Sequence, residues 1–419
     1  MNKRDFLKTF GTAAIGSPFL SLDLSSNHKF EDYSKRNTLS ETDFWKKIRE
    51  DYTLKKDYIN LENGYYCIVP NPTLNNFITH VKKINIEGSY YMRNNRDTDN
   101  KRIEARLANF LNCSPKELVV TRNTTESLDL IIGGFPWKKS DEAIYAKQDY
   151  GAMQQMFKLV SKRHGVVNKV VSVPNHPKDD AEIVKLYEDQ ITSKTKLIMV
   201  CHMVNITGHI LPIRKICDMA HKYGVEVMVD GAHCIGHFKV NISELNCDYY
   251  GSSLHKWLST PLGVGILYIS KNKISKINPL LASHVHEEDN ILRLNHIGTH
   301  PVYTDLAIEN ALDYQEMIGV ERKENRLRYI QRYWSDRLRG IKNVIINTPV
   351  EEYRSCGIAN VGIKNLSPNK LAKILFDKYK IFTVAINHEN VVGCRISPNV
   401  YTNEKDLEHF ISSIKELAV

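Results

Sequence analysis

Between residues 115 and 270 short apolar runs alternate with amphipathic stretches, and this alternation restricts the fold more than any other feature of the chain. The apolar runs are ELVVTR (117–122), EAIYAK (142–147), KVVSVP (169–174), KLIMVCHMV (196–204), VEVMVD (225–230), DYYGSS (248–253) and GVGILYIS (263–270). Helical patterns separate most of them: ESLDLIIGGF, YGAMQQMFKLVSKRHG, DDAEIVKLYEDQI and IRKICDMAHKYG. Strands alternating with helices predict an α/β domain, a mainly parallel sheet covered on both faces. The last two runs are joined by residues 254–262 alone, too few for a parallel crossover, so that pair is expected to be antiparallel and the seven-stranded sheet mixed.

The flanks differ. Residues 99–112 form an amphipathic helix with Ile103, Leu107, Phe110 and Leu111 on one face, stopped by Asn112 or the Ser-Pro after it. Residues 303–340 read as helical and charged. The tail carries short strands (KNVIIN, GIANVGI, FTVAIN, GCRIS) and the helices PNKLAKILFDKY and EKDLEHFISSIKELA, the pattern of a smaller α+β domain. The expected organisation is an export signal over 1–28, an arm over 29–62, a large domain over 63–310 and a small C-terminal domain over 311–419. MNKRDFLKTFGTAAIGSPFL has a basic start followed by small and apolar residues, too short to span a bilayer. Its Lys3-Arg4-Asp5-Phe6-Leu7-Lys8 resembles a twin-arginine signal with lysine at the first arginine, which implies a periplasmic or exported protein; a cytoplasmic N-terminus is the alternative. No second hydrophobic segment has the length of a membrane helix.

The formal charge of +9 is spread along the chain, which permits anionic ligands and leaves no nucleic-acid footprint. Eight dispersed cysteines form no CxxC or CxxH pair, so neither a zinc site nor a disulfide framework is indicated. No metal is expected.

Three features fall at predicted strand ends, where open α/β sheets bind ligands. Thr121-Arg122-Asn123-Thr124-Thr125-Glu126 runs from a strand into a helix, and hydroxyls with free N–H groups at a helix start suit a phosphate; Thr-Thr-Glu is equally a plain N-cap. VEVMVD-GAHCIG delivers Asp230 and then His233. A carboxylate buried at a strand end needs a partner, either a protonated pyridine nitrogen or a neighbouring Arg or Lys. SSLHKWLSTPLGVGILYIS places Lys256 between His255 and Trp257 after a strand, a setting in which a desolvated lysine becomes an amine nucleophile. Asp230 and Lys256 lie about one strand-helix-strand unit apart, the arrangement that holds a pyridine nitrogen at one strand end and supplies an amine from another.

These segments resemble the class V aminotransferase superfamily of fold-type-I pyridoxal-phosphate enzymes, in particular its isopenicillin-N-epimerase-like branch, from about Asn63 to the C-terminus. HKWLSTPLGVGILY is similar to the family's Schiff-base segment, which implies Lys256 as the cofactor lysine, Ser253 as a phosphate ligand and His255 as part of the same site. VDGAHCIG implies Asp230 at the pyridine nitrogen and His233 near the phenolic oxygen, and TRNTTESL implies Thr124 and Thr125 at the phosphate. HMVNITGHILPI implies Asn205 at the cofactor oxygen, and QDYGAM implies Tyr150 stacked on the ring. Gly298-Thr299 resembles a pair that reaches the phosphate from a neighbouring subunit, which implies a homodimer with shared active sites. GCRISPNVYTNEKDLEHF resembles the segment bearing the substrate-carboxylate arginine, Arg395, with Asn63 a further substrate contact. The implied partner is a small-molecule amino acid, and the implied cofactor is pyridoxal 5'-phosphate.

The implied reaction acts at Cα, as an epimerase or aminotransferase, with Lys256 as general base. Tyr65, Tyr66 and His300 are the candidates for a second acid on the opposite face, and Arg93 and Arg96 stand behind Arg395 for the carboxylate. The alternative within the superfamily is a cysteine desulfurase or selenocysteine lyase, which carries a nucleophilic cysteine on a flexible loop ahead of the arginine strand. Here that stretch is INHENVVG, with no cysteine. A binding protein that keeps the fold without turnover is the alternative of another class, opposed by intact Lys256, Asp230 and Arg395.

Overall fold

The computed structural model describes Arg36 and residues 38–419; the expected export signal over 1–28 lies outside them. Residues 40–419 pack as one compact unit. Thirteen strands are described, β1 (Ile59–Asn60), β2 (Leu118–Thr121), β3 (Glu142–Ala146), β4 (Val167–Val171), β5 (Thr195–Cys201), β6 (Glu226–Asp230), β7 (Tyr249–Ser253), β8 (Gly265–Ile269), β9 (Val344–Ile346), β10 (Ala359–Ile363), β11 (Ile381–Phe382), β12 (Val384–His388) and β13 (Val391–Ile396). The seven expected strands form one sheet in the order β2-β8-β7-β6-β5-β3-β4. All its neighbours pair in parallel except β8, which runs antiparallel to both β7 and β2. The short 254–262 connection thus has the consequence expected of it.

The sheet is buried on both faces, and period-two alternation sorts its side chains into two cores. Ile144, Ile198, Val200, Val227, Val229 and Ile266 face one way, into a cluster with Ile183, Tyr187, Ile216 and Cys217 of the helices Asp180–Glu188 and Ile213–Lys222. Ala143, Tyr145, Leu197, Met199, Met228 and Leu267 face the other, against Leu128, Ile131, Met153 and Phe157. Those last four belong to α1 (Thr124–Gly134) and α2 (Gly151–His164). The amphipathic helix before the sheet spans Arg96–Leu111, buries Ile103, Leu107 and Leu111, and stops at Asn112 in the left-handed conformation (φ 53°).

The helical stretch after the sheet is two helices, Val302–Ile318 and Val320–Leu338, broken at Gly319 with φ 88°. The first runs through the expected boundary at 310. The tail strands form an antiparallel sheet in the order β12-β13-β10-β9. A pairing with no sequence signal joins two segments distant in sequence: β1 runs parallel to β11, Ile59 opposite Ile381. The residue after it, Leu61, accepts the Ser397 N–H at 2.8 Å.

Candidate active site

Parallel strands point their C-terminal ends the same way, and five of them deliver residues to one cavity of ≈ 340 Å³. Thr124 and Thr125 follow β2, Tyr150 follows β3, Asn205 follows β5, Asp230 ends β6, and Ser253 ends β7 with His255 and Lys256 after it. Arg395 of β13 and the segment Gly64-Tyr65 close the cavity from the side of the second sheet. Ten of the twelve expected cofactor- and substrate-binding residues therefore line one cavity.

Lys256 sits at the centre. Its Nζ lies 3.1 Å from His233 Nε2. Trp257 Nε1–H points at His233 Nδ1 at 3.4 Å, so Nδ1 is the acceptor and neutral His233 carries its proton on Nε2, toward the lysine. Burial lowers the His233 pKa, and the nearby Lys256 charge lowers it further. The same desolvation brings the Lys256 ammonium down to about 8, against an opposing pull from Asp230. A free amine is therefore accessible near neutral pH.

Asp230 is buried and its pKa is raised by desolvation. It accepts the Ala232 N–H at 3.0 Å and has no ion-pair partner among the described residues, while facing the cavity. A ring N–H⁺ is the partner such a carboxylate lacks. Gly231 follows because a Cβ there would lie 2.1 Å from the Tyr250 ring, which packs under the turn.

The phosphate end is built from a capped helix. Asn123 caps α1 by accepting the Glu126 N–H. Thr124 donates its N–H to Ser253 Oγ at 3.0 Å and shares a 2.7 Å hydroxyl hydrogen bond with the same oxygen. Hydroxyls from two strand ends thus meet at a positive helix terminus. Tyr150 precedes α2, half exposed at the cavity wall. These residues fit pyridoxal phosphate: an amine for its carbonyl, a carboxylate for its ring nitrogen and a hydroxyl-lined helix start for its phosphate.

Asn63 and Thr299 stand apart. Asn63 donates from Nδ2 to Ser397 O at 2.8 Å and accepts the Tyr401 hydroxyl at 2.7 Å, so its amide is engaged away from the cavity. Thr299 is exposed and does not line the cavity of its own chain. Of the second-acid candidates Tyr65 lines the cavity, Tyr66 does not, and His300 is paired with Asp305 at 2.9 Å, which raises its pKa. Neither Arg93 nor Arg96 lines the cavity. Glu62, held against Arg395, was not singled out from the sequence: one acid between a short apolar stretch and Asn63 carries no motif or period.

Fold and site together define a fold-type-I pyridoxal-phosphate enzyme. The chain belongs to the class-V aminotransferase family, whose model matches residues 73–410. It is similar to isopenicillin N epimerase of Streptomyces clavuligerus, 25% identical over 328 residues covering 74% of this chain and 82% of that protein. It is also similar to a cysteine desulfurase of Wigglesworthia glossinidia brevipalpis, 25% identical over 413 residues covering 88% and 96%. Among solved structures, the apo cysteine desulfurase of Thermococcus onnurineus NA1 superposes with a TM-score of 0.78 at 21% identity, covering 89% of this chain and 98% of that one. The cystine C–S lyase C-DES bound to cysteine persulfide also gives 0.78, at 20% identity with 86% and 98% covered. Both share the fold.

Proposed function

We propose that this enzyme acts at the Cα of an α-amino acid by removing its proton, as an isopenicillin-N-epimerase-like epimerase or an aminotransferase, and does not pass sulfur through a cysteine. The observation that carries the reading is the strand bearing Arg395. It is entered by the two-residue turn Glu389-Asn390, with His388 opposite Val391. That turn is tied down: His388 Nε2 meets Lys147 O at 2.6 Å, Gln148 donates to Asn390 Oδ1 at 2.8 Å, and Asn390 donates to Val173 O at 3.1 Å. A persulfide carrier needs a mobile loop with a low-pKa thiol. Here Cys394 is buried, contacts Pro368 O and is pushed up to about 12 by burial, as is Cys356. The similarity to isopenicillin N epimerase supports the same reading.

Within this reading Lys256 would hold the carbonyl end of pyridoxal phosphate, Asp230 its ring nitrogen, His233 and Asn205 its oxygen, Thr124, Thr125 and Ser253 the phosphate, and Tyr150 would stack on the ring. Pyridoxal phosphate, when bound, supplies a sink for negative charge at the substrate Cα. Lys256, uncharged above about pH 8, is the base for the Cα proton. Asp230 would hold a proton at the ring nitrogen, and Arg395 would anchor the substrate carboxylate. Exchange of the Cα proton for deuterium, followed by NMR on a panel of amino acids, is expected together with no sulfide release from cysteine. Sulfide release that disappears in Cys394→Ser or Cys356→Ser would reverse the assignment.

The reading extends to organisation. Two copies pair so that Thr299 of one reaches the phosphate of the other, residues 63–310 and 311–419 act as large and small domains, and residues 1–28 direct export. Complementation of Thr299→Ala by Lys256→Ala subunits in mixed dimers tests the shared site. Cell fractionation with and without residues 1–28 tests the export.

A further inference from the structure

We propose that Glu62 is a positioning residue that fixes the Arg395 guanidinium so that its remaining edge captures the substrate α-carboxylate end-on. The proposal rests on the reading of Arg395 as the carboxylate anchor and adds what holds that anchor in place. Arg395 does not face the cavity as a free cation. Its Nη2 donates to Glu62 Oε1 at 2.5 Å and its Nε to Glu62 Oε2 at 3.2 Å, a two-point contact along one edge of the guanidinium. Both side chains are buried, 7% and 5% exposed.

Two geometries are conceivable for such a pair. Glu62 either plugs the carboxylate site and must leave, or stays and orients the arginine. The surroundings favour staying. Each Glu62 oxygen has a second donor: the Tyr65 N–H reaches Oε1 at 3.0 Å, and the Ser397 hydroxyl reaches Oε2 at 3.3 Å. Glu62 also pairs across the backbone with Ser397 in an isolated parallel bridge. A carboxylate with four donors on two oxygens, set beside the β1–β11 pairing, gains nothing by moving.

The edge turned to Glu62 is turned away from the cavity, because Arg395 lines the cavity and Glu62 does not. Gly64 lies flat on the guanidinium: a Cβ there would be 2.6 Å from Arg395 Cζ. Arg395 Nη1 donates once more, to Asn205 O at 3.2 Å. A guanidinium has five N–H groups. Glu62 takes two and Asn205 one, which leaves one on Nη1 and one on Nη2 for a carboxylate. The ligand class is therefore an amino acid with a free α-carboxylate, bound by an arginine whose own charge is already balanced.

The test uses holoenzyme and the amino acid that perturbs the cofactor absorbance of wild type at the lowest concentration, compared with its decarboxylated amine. In Glu62→Gln the amide places an N–H against an arginine donor, so the fork loses its alignment. Half-saturation by the amino acid is expected to rise by about ten- to a hundredfold. Half-saturation by the amine and the holoenzyme spectrum should stay near wild type, while the melting temperature falls because the buried guanidinium loses its counter-charge. Glu62→Asp keeps the charge and should recover part of the loss; it also decides the matter if Glu62→Gln does not fold. Tighter amino-acid binding in either variant would show Glu62 to be a plug and overturn the proposal, as would an unchanged preference for acid over amine. Arg395→Ala separates the two levels. If it abolishes the preference while Glu62→Gln leaves it intact, only the role of Glu62 fails; if it too leaves the preference intact, the carboxylate reading fails and this proposal with it.

Discussion

Lys256 is a weaker base than a surface lysine because the cavity removes it from water, and the proton on His233 Nε2 offers its amine a donor rather than an acceptor. Its uncharged fraction therefore grows as pH rises through about 8. Capture of pyridoxal phosphate by apoenzyme is expected to accelerate over that interval and then level off, followed by the appearance of the cofactor absorbance band. A flat profile would mean the amine is not the titrating group. Lys256→Ala is expected to lose the band and turnover together, since among the described residues no other lysine lines the cavity. A borohydride-trappable adduct in that variant would contradict the assignment. Asp230 and Lys256 were legible in the sequence because one ends and the other closely follows an apolar run, whereas Ser253 was implied only by the resemblance of its segment to the family's Schiff-base segment. Glu62 was not legible, because its partner Arg395 lies 333 residues away and no local pattern connects them.

Among the elements, the strands were the easiest to read. Each expected run in the large sheet overlaps an observed strand, and β2, β3, β5, β6 and β7 end where the chain turns into the cavity wall. Less visible was the clasp between the β12–β13 turn and the loop carrying Tyr150. Gln148 is its centre, 2% exposed, accepting the Val173 N–H at 2.8 Å while donating to Ser172 and Asn390. Gln148→Ala leaves a buried N–H without its acceptor, at a cost of about 1–3 kcal/mol. A fall in melting temperature is expected, with weaker cofactor binding as the Tyr150 loop loosens. Stability and cofactor affinity both equal to wild type would show that the clasp holds nothing.

At the scale of the whole molecule, the segments around Asn60–Asn63 and Tyr401 are stitched together beside the site. Tyr401, buried, donates to Asn63 Oδ1 at 2.7 Å and accepts from Asn60 Nδ2 at 3.1 Å, next to the β1–β11 pairing. Tyr401→Phe removes both bonds and keeps the ring. It is expected to destabilise the fold by about 1–3 kcal/mol in equilibrium denaturation, because the Asn63 carbonyl stays buried. Binding of the cofactor should persist, since none of its expected ligands touches Tyr401. An unchanged midpoint would place water or another donor at Asn63. Among the described residues no helix is long and apolar enough to cross a membrane.

What the sequence determined by itself is the alternation of elements, hence the mixed seven-stranded sheet, and the residues its strand ends present: a lysine, a carboxylate and a hydroxyl-bearing helix start. These follow from local rules, period-two burial, helix capping and the reach of a short connection, which act within one or two elements of each residue. Only the tertiary structure decided how distant segments meet: the Glu62–Arg395 pair, the engagement of Asn63 by Ser397 and Tyr401, and the clasp on the Tyr150 loop. Those contacts join segments hundreds of residues apart. A buried charge or amide takes whichever partner the packed fold brings within hydrogen-bond distance, and no local sequence pattern records that choice.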